Sequence, residues 1–195
     1  MMKIGITGGI GSGKTTVCRI FEVLNIDIYY SDIRAKELMI SHPQLMEKLR
    51  SSFGDEIFNP TGKLNTTLLA SIVFSDPAML KILNGIVHPF VLEDFSTWCN
   101  THHKENYILL ESAIIYESNI AHLLDHVIIV DAPDEIRIQR IVERDKTKPE
   151  DVMQRMRNQL SAADKIKRSK YIIINDGKRS LIDQVMSLHK DFSGI

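Results

Sequence analysis

The segment KIGITGGIGSGKTTVCRIF, residues 3 to 21, constrains the fold of this chain more than any other stretch. It contains five glycines among positions 5 to 13, which start within a short apolar run and lead into a run with apolar residues on one helical face. Glycine loses more conformational freedom on folding than any other residue, so such a cluster is costly unless the main chain itself must come close to another group. The segment therefore predicts a buried strand, a tight loop and a helix in immediate succession.

Residues 8 to 15, GGIGSGKT, match the pattern Gly-x4-Gly-Lys-Ser/Thr between the predicted strand and the predicted helix. In that context the main-chain amides of the loop form an anion site, to which the positive end of the helix contributes. Lys14 is then expected to reach the β- and γ-phosphates, and the Thr15 hydroxyl to ligate Mg²⁺. The alternative is a tight glycine turn that binds nothing. It is disfavoured because strand, spacing, lysine and hydroxyl are all in place.

Five apolar stretches are predicted to form the strands of an α/β fold. Each is rich in Ile, Leu, Val or Tyr and ends in a small or polar residue, as strands do when helices cover both faces of a parallel sheet. Helical patterns alternate with them, which favours parallel pairing. The predicted strands are Lys3–Thr7, Asp27–Ser31, Tyr107–Ser112, His126–Asp131 and Tyr171–Asn175.

One connection is too long to be a simple crossover. Roughly 75 residues separate the second and third predicted strands, far above the usual length of a connection. Apolar residues from Met79 to Trp98 keep a helical period, although Pro89 is expected to kink or divide that helix. The sequence Asn59-Pro60-Thr61-Gly62 predicts a turn before it. We therefore expect a helical insertion after the second strand.

The basic charge of the chain is concentrated after the fourth predicted strand. Residues 134 to 179 contain 13 Lys and Arg against 8 Asp and Glu, whereas the rest of the chain contains 11 against 17. A solvated helix face is the general explanation for such a run. Here the run occupies the part of the chain that could fold over the glycine loop, so we expect it to form a lid that is mobile in the absence of ligand.

Composition limits the classes of protein that remain. With 195 residues, 44% of them hydrophobic, the chain can fill the core of one globular domain, and its net charge of −1 argues against an overall nucleic-acid-binding surface. Cys18 and Cys99 form no zinc or disulfide pattern, and no apolar run is long enough to cross a membrane. We expect a cytoplasmic protein, either a monomer or a small homo-oligomer, without nucleic-acid or membrane partners.

A phosphate-binding loop by itself leaves three functions open: a phosphotransferase, a nucleotide-dependent switch or motor, and a nucleotide sensor that catalyses nothing. The chain contains no Asn-Lys pair, so it lacks the Asn-Lys-x-Asp element with which GTPase switches normally read guanine. A motor ATPase is usually larger. The helical insertion and the basic segment favour a small-molecule kinase, in which the insertion binds the acceptor and the basic segment closes as a lid.

Short motifs spread over nearly the whole chain favour one such family. The first is Thr7 to Thr16, in which Thr-Gly-Gly-Ile-Gly is distinctive. The others are Ser31-Asp32-Ile33, Val87-His88-Pro89, Glu117, Gln139-Arg140 with Arg144-Asp145, Arg155 with Gln159, and Asn175-Asp176-Gly177. Taken together, they make the chain resemble the dephospho-coenzyme A kinase family. Two positions depart from its pattern: Tyr30 stands where the family usually has Asp, and Ala113 where it often has Pro.

The resemblance implies an α/β P-loop kinase fold with three layers, a five-stranded parallel sheet, a helical substrate-binding insertion and a lid. It implies one domain with a nucleotide-binding core (about 1–31, 105–139 and 170–195), an acceptor-binding insertion (about 32–104) and a lid (about 140–169). The implied reaction uses ATP and Mg²⁺ to phosphorylate the ribose 3′-hydroxyl of dephospho-coenzyme A. The alternative is another small-molecule kinase, with a nucleoside monophosphate or a sugar acid as acceptor.

The motif and the resemblance together assign the candidate site residues. The catalytic candidates are Asp32, Lys14 and Arg140. The candidates for binding nucleotide are Gly9, Gly11, Ser12, Gly13, Lys14, Thr15, Thr16, Arg144 and Asn175, with Thr15 also the metal ligand. The candidates for binding acceptor are Thr7, Asp32, His88, Glu117, Arg155 and Gln159.

Several of these residues have an alternative structural role. Asp32 follows the second strand and should project from the carboxyl edge of the sheet as a general base, but it could also cap the next helix, as Ser31 could. The planar guanidinium groups of the predicted lid suit phosphate oxygens, yet Arg155 could instead pair with Asp151 at i, i+4 spacing. His88 lies on an apolar helical face, where a histidine is often a packing residue. Both cysteines are expected to be packing residues.

Overall fold

The computed structural model describes residues 1–102, 106–157 and 159–194. They divide into two compact units, one formed by Met1–Tyr30 with His102–Ile195 and the other by Ser31–Thr101. The strands are β1 (Met2–Thr7), β2 (Ile28–Tyr30), β3 (Tyr107–Glu111), β4 (His126–Asp131) and β5 (Tyr171–Ile174). The helices are α1 (Lys14–Val23), α2 (Ser31–Ser41), α3 (Pro43–Phe53), α4 (Thr66–Ser75), α5 (Pro77–Thr101), α6 (Asp134–Asp145), α7 (Pro149–Arg157), α8 (Ala162–Ile166) and α9 (Leu181–Ser193).

The five strands form one parallel sheet in the order β2-β3-β1-β4-β5. In the centre, Ile6 of β1 is in register with Glu111 of β3 and Ile128 of β4. The predicted five-stranded parallel sheet is therefore confirmed. Its second strand is shorter than predicted, because Ser31 begins α2 instead of ending β2. The connections that follow β1, β3, β4 and β5 all leave from the carboxyl edge of the sheet, where ligands bind in open α/β folds.

The core of the first unit lies between the sheet and the helices α1 and α9. Central strands are covered on both faces, so their side chains are apolar throughout. From α1, Val17, Cys18 and Phe21 are completely buried, which confirms the predicted apolar face and the packing role of this cysteine. The residues of this core are Ile4, Ile6, Val17, Cys18, Phe21, Ile26, Tyr107, Leu109, Ile128, Val130, Ile173, Val185 and Phe192.

The second unit is helical, with α2, α3 and α4 each packed against α5. Arg34 of α2 binds both carboxylate oxygens of Asp94 on α5, at 2.9 and 2.6 Å. Pro89 lies inside α5, which continues to Thr101, so of the two expected effects this proline does not divide the helix. The neighbouring Val87, Phe90 and Val91 are buried, and this packing compensates for the hydrogen bond that proline removes.

The turn predicted before this helix is confirmed. The Gly62 amide donates to the Asn59 carbonyl oxygen at 2.8 Å, and Gly62 has a φ of 77°. Within the described part of the chain, no helix is both long and apolar enough to span a bilayer.

Candidate active site

The glycine loop, residues 8 to 13, connects the carboxyl end of β1 to α1. At Gly8 a Cβ would lie 2.2 Å from the main-chain carbonyl oxygen of Val130, so only glycine lets the loop pass this close to β4. Gly13 is the N-cap of α1 and has a φ of 94°, in the left-handed region that side chains disfavour. Contacts and backbone conformation therefore require glycine at both ends of the loop.

Side chains hold the carbonyl groups of the glycine loop from outside. Arg137 of α6 donates from Nε to the Ile10 carbonyl oxygen at 3.0 Å. Asn175, which follows β5, donates from Nδ2 to the Ser12 carbonyl oxygen at 2.8 Å. Arg140 of α6 donates to the Asn175 Oδ1 at 3.1 Å and lies 3.4 Å from the same Ser12 carbonyl. The structure thus brings the predicted residues Arg140 and Asn175 together at the loop.

The outward carbonyl groups determine where the next amides point. In a trans peptide the carbonyl of one residue and the amide of the next face opposite directions. The amides of Gly11 and Gly13 therefore point away from the side chains that hold the loop, and neither donates to an acceptor on any described residue. The first turn of α1 also lacks a side-chain cap. Such unpaired amides at a helix N-terminus form an anion-binding site.

Arg137 is a residue that the sequence interpretation missed. It is only 5% exposed and forms an ion pair with Asp134 at 2.7 Å, and a Cβ at Gly9 would lie 2.1 Å from its Nη2. The guanidinium therefore fills the space beside the loop that a side chain at position 9 would need. The i, i+3 spacing to Asp134 was visible in the sequence, but the contact with a loop 127 residues away was not.

The residues after the glycine loop begin α1. The Lys14 ammonium donates to the Gly8 carbonyl oxygen at 3.1 Å, so the side chain folds back across the loop. Thr15 and Thr16 lie in the first helical turn and are exposed. A cation above the loop and a free hydroxyl beside it are the two groups that the predicted phosphate and metal contacts require.

Two hydroxyl groups at the loop have no hydrogen-bond partner among the described residues. The Thr7 Oγ1 and the Ser12 Oγ are both buried, and Thr7 is the last residue of β1. Buried polar atoms are nearly always hydrogen-bonded, so orphaned hydroxyls beside an amide nest indicate a place for a polar ligand. This observation agrees with a site for a phosphorylated molecule.

The structure does not bring Arg144 and Arg155 to the glycine loop through any described contact; it pairs both with Asp145. Arg144 binds this carboxylate at 2.6 Å and Arg155 at 2.9 Å. Hydrogen bonds from Arg144 and then from Arg155 hold the pKa of Asp145 well below its usual value. The alternative prediction that Arg155 pairs with Asp151 is wrong, because Asp151 accepts a hydrogen bond from Thr147 instead. Tertiary proximity across the α6–α7 connection prevails here over i, i+4 spacing.

Gln159 and Glu117, both predicted to contact the acceptor, bind main-chain amides in the first unit. The Gln159 Oε1 accepts from the Ile10 amide at 2.9 Å, which places Gln159 directly on the glycine loop. The Glu117 Oε1 accepts from the Leu160 amide at 3.0 Å. The same oxygen lies 2.9 Å from the Nζ of Lys165, a second buried charged residue that the sequence interpretation missed.

Asp32 and His88 are the predicted acceptor residues of the second unit. Asp32 lies inside the first turn of α2, is exposed and forms no hydrogen bond with a described residue, so it is not the cap of this helix. Burial lowers the pKa of His88 from its usual 6.5, and the negative charge of Asp32 partly opposes this shift. Ser31 has a buried hydroxyl without a described partner.

Tyr30 replaces the first carboxylate of the family pattern at the end of β2. Its hydroxyl donates to the Glu22 Oε1 at 2.9 Å. Burial, followed by this hydrogen bond, raises the pKa of Tyr30. The phenol is thus a neutral group bound to α1, and it does not replace the missing negative charge.

Comparison with known proteins identifies the family. The family model for CoaE, dephospho-CoA kinase, matches residues 2–180. The chain belongs to the dephospho-CoA kinase family. A dephospho-CoA kinase from Bacteroides fragilis is 43% identical over 189 residues, covering 96% of this chain and 91% of that protein. The predicted family is therefore confirmed.

Solved structures agree with this family and with its fold. The dephospho-CoA kinase from Campylobacter jejuni has a TM-score of 0.71 at 25% identity and covers 98% of this chain and 97% of its own. A Thermus thermophilus protein has a TM-score of 0.84 at 30% identity, and the match covers 100% of this chain and 97% of that protein's chain. The P-loop kinase fold predicted for the dephospho-CoA kinase family is thus confirmed, whereas the roles of individual residues stay predictions.

Proposed function

We propose that this chain transfers the γ-phosphoryl group of ATP to the ribose 3′-hydroxyl of dephospho-coenzyme A, giving ADP and coenzyme A. The observation that carries the proposal is the glycine loop, in which the Gly11 and Gly13 amides have no described protein acceptor. Family membership supports the identity of the acceptor and disfavours a nucleoside monophosphate or a sugar acid. This would be the last step of coenzyme A biosynthesis.

The proposed nucleotide contacts follow from the charges at the loop. Phosphoryl transfer needs in-line positioning and stabilisation of the charge on the phosphoryl oxygens more than covalent chemistry. Lys14 is proposed to exchange the Gly8 carbonyl for phosphate oxygens, and Arg140 to stabilise the transferring group. The remaining proposed contacts are Gly9, Gly11, Ser12, Gly13, Thr16, Arg144 and Asn175.

The proposed metal site consists of the Thr15 hydroxyl and phosphate oxygens. An exposed hydroxyl in the first turn of α1 is a hard oxygen ligand, which suits Mg²⁺. The unpartnered hydroxyls of Thr7 and Ser12 also fit a polar occupant of this site. Mg²⁺ held there would neutralise negative charge on the phosphate oxygens.

Asp32 is proposed to accept the proton of the attacking hydroxyl. Its carboxylate is exposed and forms no hydrogen bond with a described residue, so it can accept one from a substrate hydroxyl. His88, with a lowered pKa, is proposed to contact the acceptor as a neutral imidazole near pH 7. A neutral imidazole both donates and accepts a hydrogen bond, which suits recognition of sugar and phosphate groups.

The test is a coupled assay of ADP formation with ATP, Mg²⁺ and a panel of acceptors. We expect turnover with dephospho-coenzyme A and only background rates with AMP or gluconate. Lys14→Met serves as the negative control, because it removes the ammonium but keeps most of the unbranched side chain. Equal turnover with another acceptor would contradict the proposed substrate, and background rates with every acceptor would instead favour a nucleotide sensor.

A further inference from the structure

Lys165 of α8 is a cation inside the first unit. It is 0% exposed, and its ammonium donates to the Ala113 carbonyl oxygen at 2.8 Å and pairs with the Glu117 Oε1 at 2.9 Å. A lysine is almost never buried this completely unless it is paired, because its charge loses hydration. Lys165 therefore ties α8 to the turn that follows β3.

The ion pair continues towards the glycine loop. The carboxylate oxygen of Glu117 that meets Lys165 also accepts the Leu160 amide at 3.0 Å. The preceding residue, Gln159, binds the Ile10 amide at 2.9 Å. Lys165, Glu117, Leu160 and Gln159 thus form a continuous set of contacts, which we term the Lys165 brace, from the interior of the first unit to the loop.

The brace acts on the peptide groups that orient the phosphate-binding amides. Gln159 holds the amide of Ile10, while Arg137 holds the carbonyl of the same residue at 3.0 Å. Both peptide groups of Ile10 are therefore fixed by side chains. The peptide group that carries the Ile10 carbonyl also contains the amide of Gly11, so the direction of the Gly11 amide depends on how Ile10 is held.

We propose that Lys165 is a positioning residue for the glycine loop, acting through Glu117 and Gln159. On this proposal Glu117 and Gln159 serve the nucleotide side of the reaction, whereas the family resemblance implies that they contact the acceptor. The inference rests on the proposed function, since it takes the loop to be the ATP site.

A purely structural role of Lys165 predicts different results. Removing one member of a buried ion pair leaves the other charge unpaired and lowers stability. If that were the whole effect, variants that still fold would bind ATP as the parent does, and the Ile10 amide would remain as protected. Readouts that report on the loop itself are therefore needed.

The kinetic test uses Gln159→Met, which removes the acceptor oxygen and nearly preserves the shape of the side chain. Loss of one hydrogen bond that orients the loop should raise the KM for ATP about tenfold, or about 1.4 kcal/mol, while the KM for dephospho-coenzyme A changes less than about twofold. Gln154→Met, at an exposed position of α7, is the matched control and should leave both constants unchanged. A rise confined to the acceptor KM would overturn the proposal.

The second test measures hydrogen exchange of the Ile10 amide by NMR and requires no activity. We expect exchange to be at least about tenfold faster in Gln159→Met and in Lys165→Met, with the exposed Lys167→Met equal to the parent. If Lys165→Met does not fold, the exchange rate in Gln159→Met still tests whether the brace orients the loop. Unchanged exchange of the Ile10 amide in Gln159→Met would overturn the brace. If exchange is faster in this variant but the parent protein does not phosphorylate dephospho-coenzyme A, only the proposed function is contradicted.

Discussion

The Asn175 side-chain nitrogen lies 2.8 Å from the main-chain oxygen of Ser12 and donates a hydrogen bond to it. A Cβ on Gly13 would lie 2.1 Å from that same nitrogen. The residue that follows β5 therefore both orients the glycine loop and occupies the space that a side chain at position 13 would need. Glycine at this position is required by a tertiary contact as well as by its φ of 94°.

Gly13→Ala should therefore combine backbone strain with displacement of Asn175. The left-handed conformation by itself costs a side chain about 1–2 kcal/mol, and we expect a larger loss in the free energy of unfolding here. Because Asn175 would release the Ser12 carbonyl, ATP affinity should also fall by at least about tenfold, as expected for one lost orienting hydrogen bond. Denaturant unfolding and calorimetric titration with a non-hydrolysable ATP analogue measure the two effects.

Gly62→Ala is the matched control for this substitution. Gly62 has a similar φ of 77°, but no atom lies within 4 Å of the position of an added Cβ. We expect a loss of about 1–2 kcal/mol from the conformation alone and no change in ATP affinity. If the two alanine variants lost the same stability and both kept their ATP affinity, the account of the Asn175 contact would be wrong.

Asp32→Asn tests the proposed general base. The substitution keeps the shape of the side chain but removes its basicity, so kcat should fall by roughly 10²- to 10⁴-fold with little change in the KM for the acceptor. Glu93→Gln, which neutralises an exposed carboxylate on α5, should behave like the parent. Turnover of Asp32→Asn at the parental rate would assign the proton to a different acceptor.

The pH titration of His88 tests the arrangement of the second unit without any assay. Its pKa should lie below the usual 6.5, because burial disfavours the imidazolium, and Asp32→Asn should lower it further by removing a nearby negative charge. With the folded pKa below the unfolded one, the unfolded state binds more protons between them, so this histidine destabilises the fold as pH falls below about 6.5. An NMR titration that finds His88 at or above 6.5 would contradict the structure.

The lid prediction concerns residues 140 to 169. A groove of about 390 Å³, open to solvent, lies beside α6 and α7, and its lining includes Ile138, Met153 and Met156. Of the described residues of α7, Val152 alone is buried, and an element with few buried apolar contacts opens locally at low cost. Outside the Lys165 brace, we expect faster hydrogen exchange in this segment than in the strands without ligand, and added protection with nucleotide and acceptor together. Protection equal to that of the strands, unchanged by ligands, would argue against a lid.

The sequence predicts most of the sheet, because buried parallel strands have a local signal. Each of the five apolar runs needs no knowledge of its partners to be recognised, and the glycine loop is equally local. The sequence predictions differ from the structure where packing between elements determines the local conformation. Ser31 begins α2 instead of ending the second predicted strand, and Pro89 does not divide α5 because its neighbours are buried.

The side chains that hold the glycine loop in place are harder to predict, because their roles depend on contacts between distant parts of the chain. Arg137 looks like one more charged residue of an amphipathic helix, and Lys165 like one more charge in a lysine-rich segment. Their roles emerge only when folding brings them to Ile10 and Glu117, which are 127 and 48 positions away in sequence. Neither periodicity nor spacing contains that information.

The most direct test of the central claim is a crystal structure with Mg²⁺ and a non-hydrolysable ATP analogue. We predict phosphate oxygens within about 2.7–3.2 Å of the Gly11 and Gly13 amides and of the Lys14 ammonium, with Arg137 and Asn175 still bound to the loop carbonyls. A nucleotide bound elsewhere, or a loop whose amides point away from the phosphates, would contradict the account.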